Sequence, residues 1–192
     1  ITIGDWSSDV CSSDLLNRRS CRKFVRNQKV PHSDIEKIVE AARNYPCSLG
    51  NQNVDFLVIT NQDVIDKISD GVANACPEFK KYLERRKETY NLESTIWCDA
   101  PLVIFGIYND RNANRAESNC GAAMASIIDA AVDLGYATLP VLMASNSPQN
   151  KVTSEVLGIE PERLGLSIAI GKMDDSFVPD KKEIKSQVHW IE

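Results

Sequence analysis

An uncharged run of eight residues, Pro101-Leu-Val-Ile-Phe-Gly-Ile-Tyr108, sets the first condition on this chain. It is far shorter than the roughly 20 residues a membrane helix needs. Its length is that of a strand, and a strand that is apolar throughout has to be covered on both faces. Phe56–Thr60, short and rich in β-branched residues, reads as another strand buried on both faces.

Helical patterns alternate with these strands. Ser33 followed by Glu36 makes a capping box ahead of Ile35, Ile38, Val39 and Ala42, and predicts a helix ending near Tyr45-Pro46. Asn61 or Gln62 opens a helix carrying Val64, Ile65, Ile68 and Val72. Pro77 suits the first position of the next helix, which runs through Phe79, Tyr82 and Leu83 towards Tyr90, with its Lys and Glu residues on a solvated face. From about Ser118 to Leu134 the pattern predicts a long helix. Its face of Ala122, Ala123, Ala125, Ser126, Ala130 and Ala131 would let another backbone approach closely, and Gly135 would end it as a left-handed cap. Tyr136–Leu142 predicts a third strand, Asn150–Leu157 a short helix and Leu164–Gly171 a further strand, before a basic and then apolar tail ending Val188-His189-Trp190-Ile191. No repeat or linker divides this alternation, so one α/β or α+β domain is expected.

Composition narrows the function classes. The 192 residues carry 22 basic and 27 acidic side chains, a net charge of −5, with no basic stripe of the kind that nucleic-acid backbones require. No run is long enough to enter a membrane. The six cysteines, at 11, 21, 47, 76, 98 and 120, include no Cys-x-x-Cys pair, and two histidines offer no zinc or iron–sulfur ligand set. Scattered cysteines without a secretory signal read as reduced thiols and place the chain in the cytoplasm.

Residues 1–15 stand apart, because Ser-Ser-Asp recurs at 7–9 and 12–14 in a stretch with little apolar periodicity. Residues 5–15 resemble the conceptual translation of a sequencing-adapter oligonucleotide fused to a gene fragment; a polar N-terminal arm is the other reading. The folded unit is expected over residues 16–192.

Chemistry concentrates at Arg18-Arg19-Ser20-Cys21-Arg22-Lys23-Phe24. Arginine forks match phosphate oxygens bidentately, and a serine adds a donor. Taken alone, such a cluster also fits the solvated end of a helix.

With Arg18, Arg19, Ser20, Arg22 and Phe24 in this order, the sequence resembles the FMN-dependent nitroreductases, whose members open on Arg-Arg-Ser-x-Arg-x-Phe. The resemblance continues through Pro46-Cys47-Ser48-Leu49-Gly50-Asn51-Gln52-Asn53-Val54-Asp55-Phe56, Ala100-Pro101, Asn119-Cys120-Gly121-Ala122-Ala123, Asp133-Leu134-Gly135-Tyr136, Leu157-Gly158-Ile159, Ile170-Gly171 and Val188-His189. It implies an α+β fold with a central mixed sheet flanked by helices and a C-terminal arm embracing a partner subunit.

It also implies roles. Arg18, Arg19, Ser20 and Arg22 would hold the FMN phosphate and ribityl chain. Pro46, Cys47, Ser48, Gly50 and Gln52 would reach the flavin of the partner in a homodimer. Pro140, Val141, Leu142 and Met143 correspond to a turn whose backbone N–H groups face the flavin in relatives. Lys181, with Lys182, lies where relatives place a basic residue that closes on the phosphate, and a solvated tail is the other reading there.

The sequence departs from the family pattern at several positions. Cys47 replaces Ser and reads as a small filler or a redox-active thiol. Gly50 replaces Asn, so that Asn51 or a backbone group must take over the lost amide. Val54 replaces Trp, and Ala125-Ser126 replaces a Gln/Glu-Asn pair. The activity implied is hydride transfer from NADH or NADPH through FMN to a nitroaromatic, quinone or related small-molecule acceptor by ping-pong kinetics. No catalytic side chain is named, since the cofactor carries the chemistry. Other flavin chemistry on the same scaffold, or an FMN-binding redox protein with little turnover, are the rival readings.

Overall fold

A computed structural model describes residues 18–47, 50–109, 116–180 and 185–191. The proposed leader, Ser48, Lys181 and Lys182 fall outside the described residues. Four strands, β1 (Val54–Ile59), β2 (Leu102–Tyr108), β3 (Ala137–Val141) and β4 (Leu164–Gly171), form one sheet in the order β1-β2-β4-β3. Their pairings are antiparallel, and a parallel bridge from Ser20 to Thr138 on β3 adds the mixed sense. Helices α1 (His32–Arg43), α2 (Gln62–Asn74), α3 (Lys80–Tyr90), α4 (Ala116–Asp133) and α5 (Asn150–Leu157) complete an α+β fold.

The apolar run behaves as its composition requires. All seven residues of β2 are buried, and the two-residue side-chain period sends them alternately into two cores. Val103, Phe105 and Ile107 join the core under α2, while Leu102, Ile104 and Tyr108 join the core under α1 and α4. Phe56–Thr60 was expected to be buried on both faces; the strand runs Val54–Ile59 and is only half covered. The reason is its place at the sheet edge, outside β2, which composition does not reveal.

Local signals fare unevenly. Asn61 caps α2 as expected, accepting from the N–H groups of Asp63 at 3.0 Å and Val64 at 3.4 Å. The capping box at Ser33 and Glu36 does not form, because α1 starts at His32 with Pro31 as its cap and Ser33 lies inside the first turn. Pro77 opens a separate 3₁₀ turn, Pro77–Phe79, and Phe79 and Tyr82 are exposed, so α3 buries little besides Leu83. Gly135 adopts φ +81°; its N–H reaches Val132 O at 2.9 Å and the Tyr136 N–H reaches Ala131 O at 2.9 Å, a Schellman end. The long helix turns a different stripe inward from the one expected. Asn119, Cys120, Ala123, Met124, Ile127 and Ala131 are buried and Ala125 is exposed, since the larger apolar side chains take the core.

Where β2, β4 and α4 meet, glycine permits contact that no other residue would. A Cβ on Gly165 would lie 2.8 Å from Gly106 O and 2.9 Å from Cys120 Sγ, whereas one on Gly121 would meet nothing within 4 Å. Urea denaturation should therefore show Gly165→Ala destabilised by about 1–3 kcal/mol through overpacking. Gly121→Ala should be stabilised by roughly 0.5–1 kcal/mol.

Candidate functional site

The basic N-terminal segment is not a helix end. Ser20 pairs with Thr138, the Cys21 N–H donates to Thr138 O at 2.9 Å, the Phe24 N–H to Cys98 O at 3.1 Å and the Val25 N–H to Lys172 O at 2.9 Å. These bonds lay Arg18–Arg22 along the outer edge of β3. Cys21 and Phe24 enter the core while Arg18, Arg19, Ser20 and Arg22 stay half-buried.

Arg18, Arg19, Thr138, Lys172 and Met173 share the lining of a cavity of about 450 Å³ with the start of β3 and the segment after β4. Two polar atoms of these lining residues, Arg18 Nη1 and Thr138 Oγ1, are buried with no hydrogen-bond partner among the described residues. An unsatisfied buried donor costs about 1–3 kcal/mol, and guanidinium and hydroxyl groups are of the type that an anion would satisfy.

Pro140 and Val141 lie on β3 and Leu142 and Met143 in the turn after it, so these four share the sheet edge with the arginines. Pro140 suits an edge strand, where no ladder bond needs its missing N–H. The other predicted set lies elsewhere. Pro46, Cys47, Gly50 and Gln52 lead into β1, the opposite edge, about 14 Å away across three strand spacings. The two predicted sets therefore lie at opposite edges of one sheet. Gly50 has φ +67°, a backbone conformation that favours glycine. Gln52 Nε2 donates to Arg43 O at 3.2 Å, and Asn51 O accepts from Asn119 Nδ2 at 3.4 Å.

Arg26 is a residue the sequence reading missed. Its guanidinium pairs with Asp66 on α2, with Glu93 at 3.0 Å and with Asp99 at 3.3 Å. Asp99 also accepts from the N–H groups of Ser94 at 2.7 Å and Glu93 at 3.1 Å, and burial raises its pKa above the usual range despite those bonds. This cluster ties the segment carrying Arg18–Arg22 to α2 and to the loop before β2. Nothing local flags it, since its members are 40 or more positions from Arg26.

Comparison with known proteins decides the family. Residues 15–172 match the model of the nitroreductase family. The chain belongs to the nitroreductase family. An 83-residue stretch is 31% identical to a protein of Staphylococcus saprophyticus named as an NAD(P)H nitroreductase, a match spanning 40% of this chain and 38% of that protein. A Bacteroides fragilis nitroreductase with bound FMN superposes with a TM-score of 0.75 at 19% identity, covering 96% of this chain and 99% of that one. Iodotyrosine deiodinase bound to FMN and 3-iodo-L-tyrosine superposes at 0.72 and 18% identity, covering 93% and 96%. The nitroreductase fold is thus common to proteins named for different chemistry.

Within this family member the described cysteines are free thiols. Burial pushes Cys21 up to about 12 and Cys98 up to about 11, and it also raises Cys76 and Cys120. Only the thiolate reacts. Ellman titration of Cys11→Ser protein at pH 8 should therefore modify Cys47 alone in the native state and the remaining thiols only after unfolding.

Proposed function

We propose that this protein is an FMN-dependent oxidoreductase that takes hydride from NADH or NADPH and reduces a nitroaromatic, quinone or related organic acceptor. The observation that carries the reading is the pair of unpartnered buried atoms, Arg18 Nη1 and Thr138 Oγ1, in a cavity also lined by Arg19 and Lys172. This donor set fits a phosphate, and the flavin-bound relatives make FMN the group of choice. When bound, FMN supplies the hydride and electron transfer. The chain supplies the rest. Arg18, Arg19 and Ser20 hold the phosphate, Arg22 lies further along the same edge, and the Leu142 and Met143 N–H groups face the ring.

The two half-sites meet if the protein is a homodimer, with the Pro46–Gln52 segment of a second copy reaching the flavin held at β3. Two surfaces support this. The outer edge of β1 and the flank of α1 border an open groove of about 1200 Å³ lined by Ile35, Val39, Ala41 and Val58, among others. Val188, Trp190 and Ile191 are largely exposed and would bury apolar area in such a groove. No helix among the described residues is long and apolar enough to cross a membrane, and the cytoplasm is the compartment we assign.

The deiodinase likeness gives the second reading, the same cofactor site turned to a different acceptor reaction. Anaerobic mixing with NADH and with NADPH tests the main one. Rapid bleaching of the flavin band, followed by reoxidation with a nitroaromatic or quinone, is the expected result, while purified protein that neither carries nor takes up FMN would refute it. Arg18→Ala should weaken FMN binding about 10- to 100-fold in a fluorescence-quenching titration, the effect of removing a charged hydrogen-bond partner. Sedimentation should give a dimer, and a chain ending at residue 185 should dissociate and lose flavin.

A further inference from the structure

The turn that follows β3 is held by hydroxyls from beneath. Ser167 Oγ, on fully buried Ser167 of β4, donates to Val141 O at 2.8 Å. The same oxygen accepts from the indole Nε1 of Trp97 at 3.1 Å. Trp97 is itself fully buried and edge-on to Phe105, with ring centroids 5.8 Å apart. At the other end of the turn, fully buried Thr153 donates to Ala144 O at 2.6 Å. Between these anchors, Leu142 O accepts from the N–H groups of Ser145 at 2.9 Å and Asn146 at 3.0 Å.

The carbonyls of Val141, Leu142 and Ala144 are therefore all engaged by the protein, whereas no described residue accepts from the Leu142 or Met143 N–H. Leu142 is 56% exposed. With those three carbonyls engaged and two N–H groups open, the turn can donate to a ligand. Such a surface suits a ligand atom that accepts, and rigid donors cost little reorganisation when it arrives.

We propose that Ser167, oriented by Trp97, is a positioning residue that fixes the Leu142 and Met143 N–H groups as donors to acceptor atoms of the bound flavin ring. The inference rests on the FMN reading and deepens it. Ser167 touches no ligand; it acts by holding the Val141 carbonyl so that the next two amides keep their direction. The buried indole N–H keeps the hydroxyl proton aimed at Val141 O, because the serine oxygen is occupied as an acceptor.

The test is amide hydrogen exchange, residue by residue, with and without FMN. In the unaltered protein, saturating FMN should slow exchange at Leu142 and Met143 at least tenfold. In Ser167→Ala that protection should fall below threefold, with FMN bound about tenfold more weakly and with protection in β2 and β4 unchanged. Ser167→Ala leaves the Trp97 indole N–H unpaired, so Trp97→Phe/Ser167→Ala, which removes both partners, is measured beside it and should lose the same two protections. Full FMN-dependent protection of Leu142 and Met143 in the double variant would overturn the inference. So would equal loss of protection across β2 and β4, the mark of a merely structural role. An unaltered protein that binds no FMN would overturn the FMN reading and this inference with it; one that binds FMN without protecting the two amides overturns the inference alone.

Discussion

Burial of β2 on both faces is the constraint from which the rest of the molecule follows. Seven consecutive residues without exposure cannot lie on a surface sheet, so helices must cover both sides, and the two-residue period distributes the side chains between two cores. Those cores in turn fix what neighbours β2. On one side β4 continues the apolar layer and carries Ser167 into the core that holds Trp97. On the other, β1 forms an edge whose outer flank is left for something outside the chain.

The placement of the candidate chemistry is a consequence of sheet order. The basic segment runs beside β3 because its backbone bonds to Thr138, and Arg26 locks it there with three carboxylates drawn from α2 and the loop ahead of β2. The residues proposed to hold the phosphate and the turn after β3 consequently share one edge. The segment leading into β1 is carried to the opposite edge, and the proposed homodimer would bring the two segments together by two-fold symmetry. A flavin enzyme built this way needs no acid–base side chain of its own, since binding, orientation and donor placement are what the protein adds.

Iodotyrosine deiodinase superposing as well as proteins named nitroreductases illustrates why the acceptor is not written in the fold. The family match spans residues 15–172 and so covers the scaffold from the arginine cluster through β4. Gly50, with its positive φ, and half-buried Cys47 are where this chain departs within that region.

Periodicity and local capping chemistry were sufficient for Asn61, Gly135, β2, α5 and β4, because each depends on neighbours within a few residues or on uniform apolarity. The arginine motif was legible for the same reason, since its members are contiguous. Edge or centre, however, is a property of pairing, so β1 could not be told from a buried strand. The failed capping box at Ser33 and the rotated stripe of α4 arose from packing that outweighs a local preference of about 1 kcal/mol. Arg26 with its carboxylates and the Trp97–Ser167–Val141 chain join residues 26 to 73 positions apart. Such contacts are made when the strands align. No window of sequence holds them.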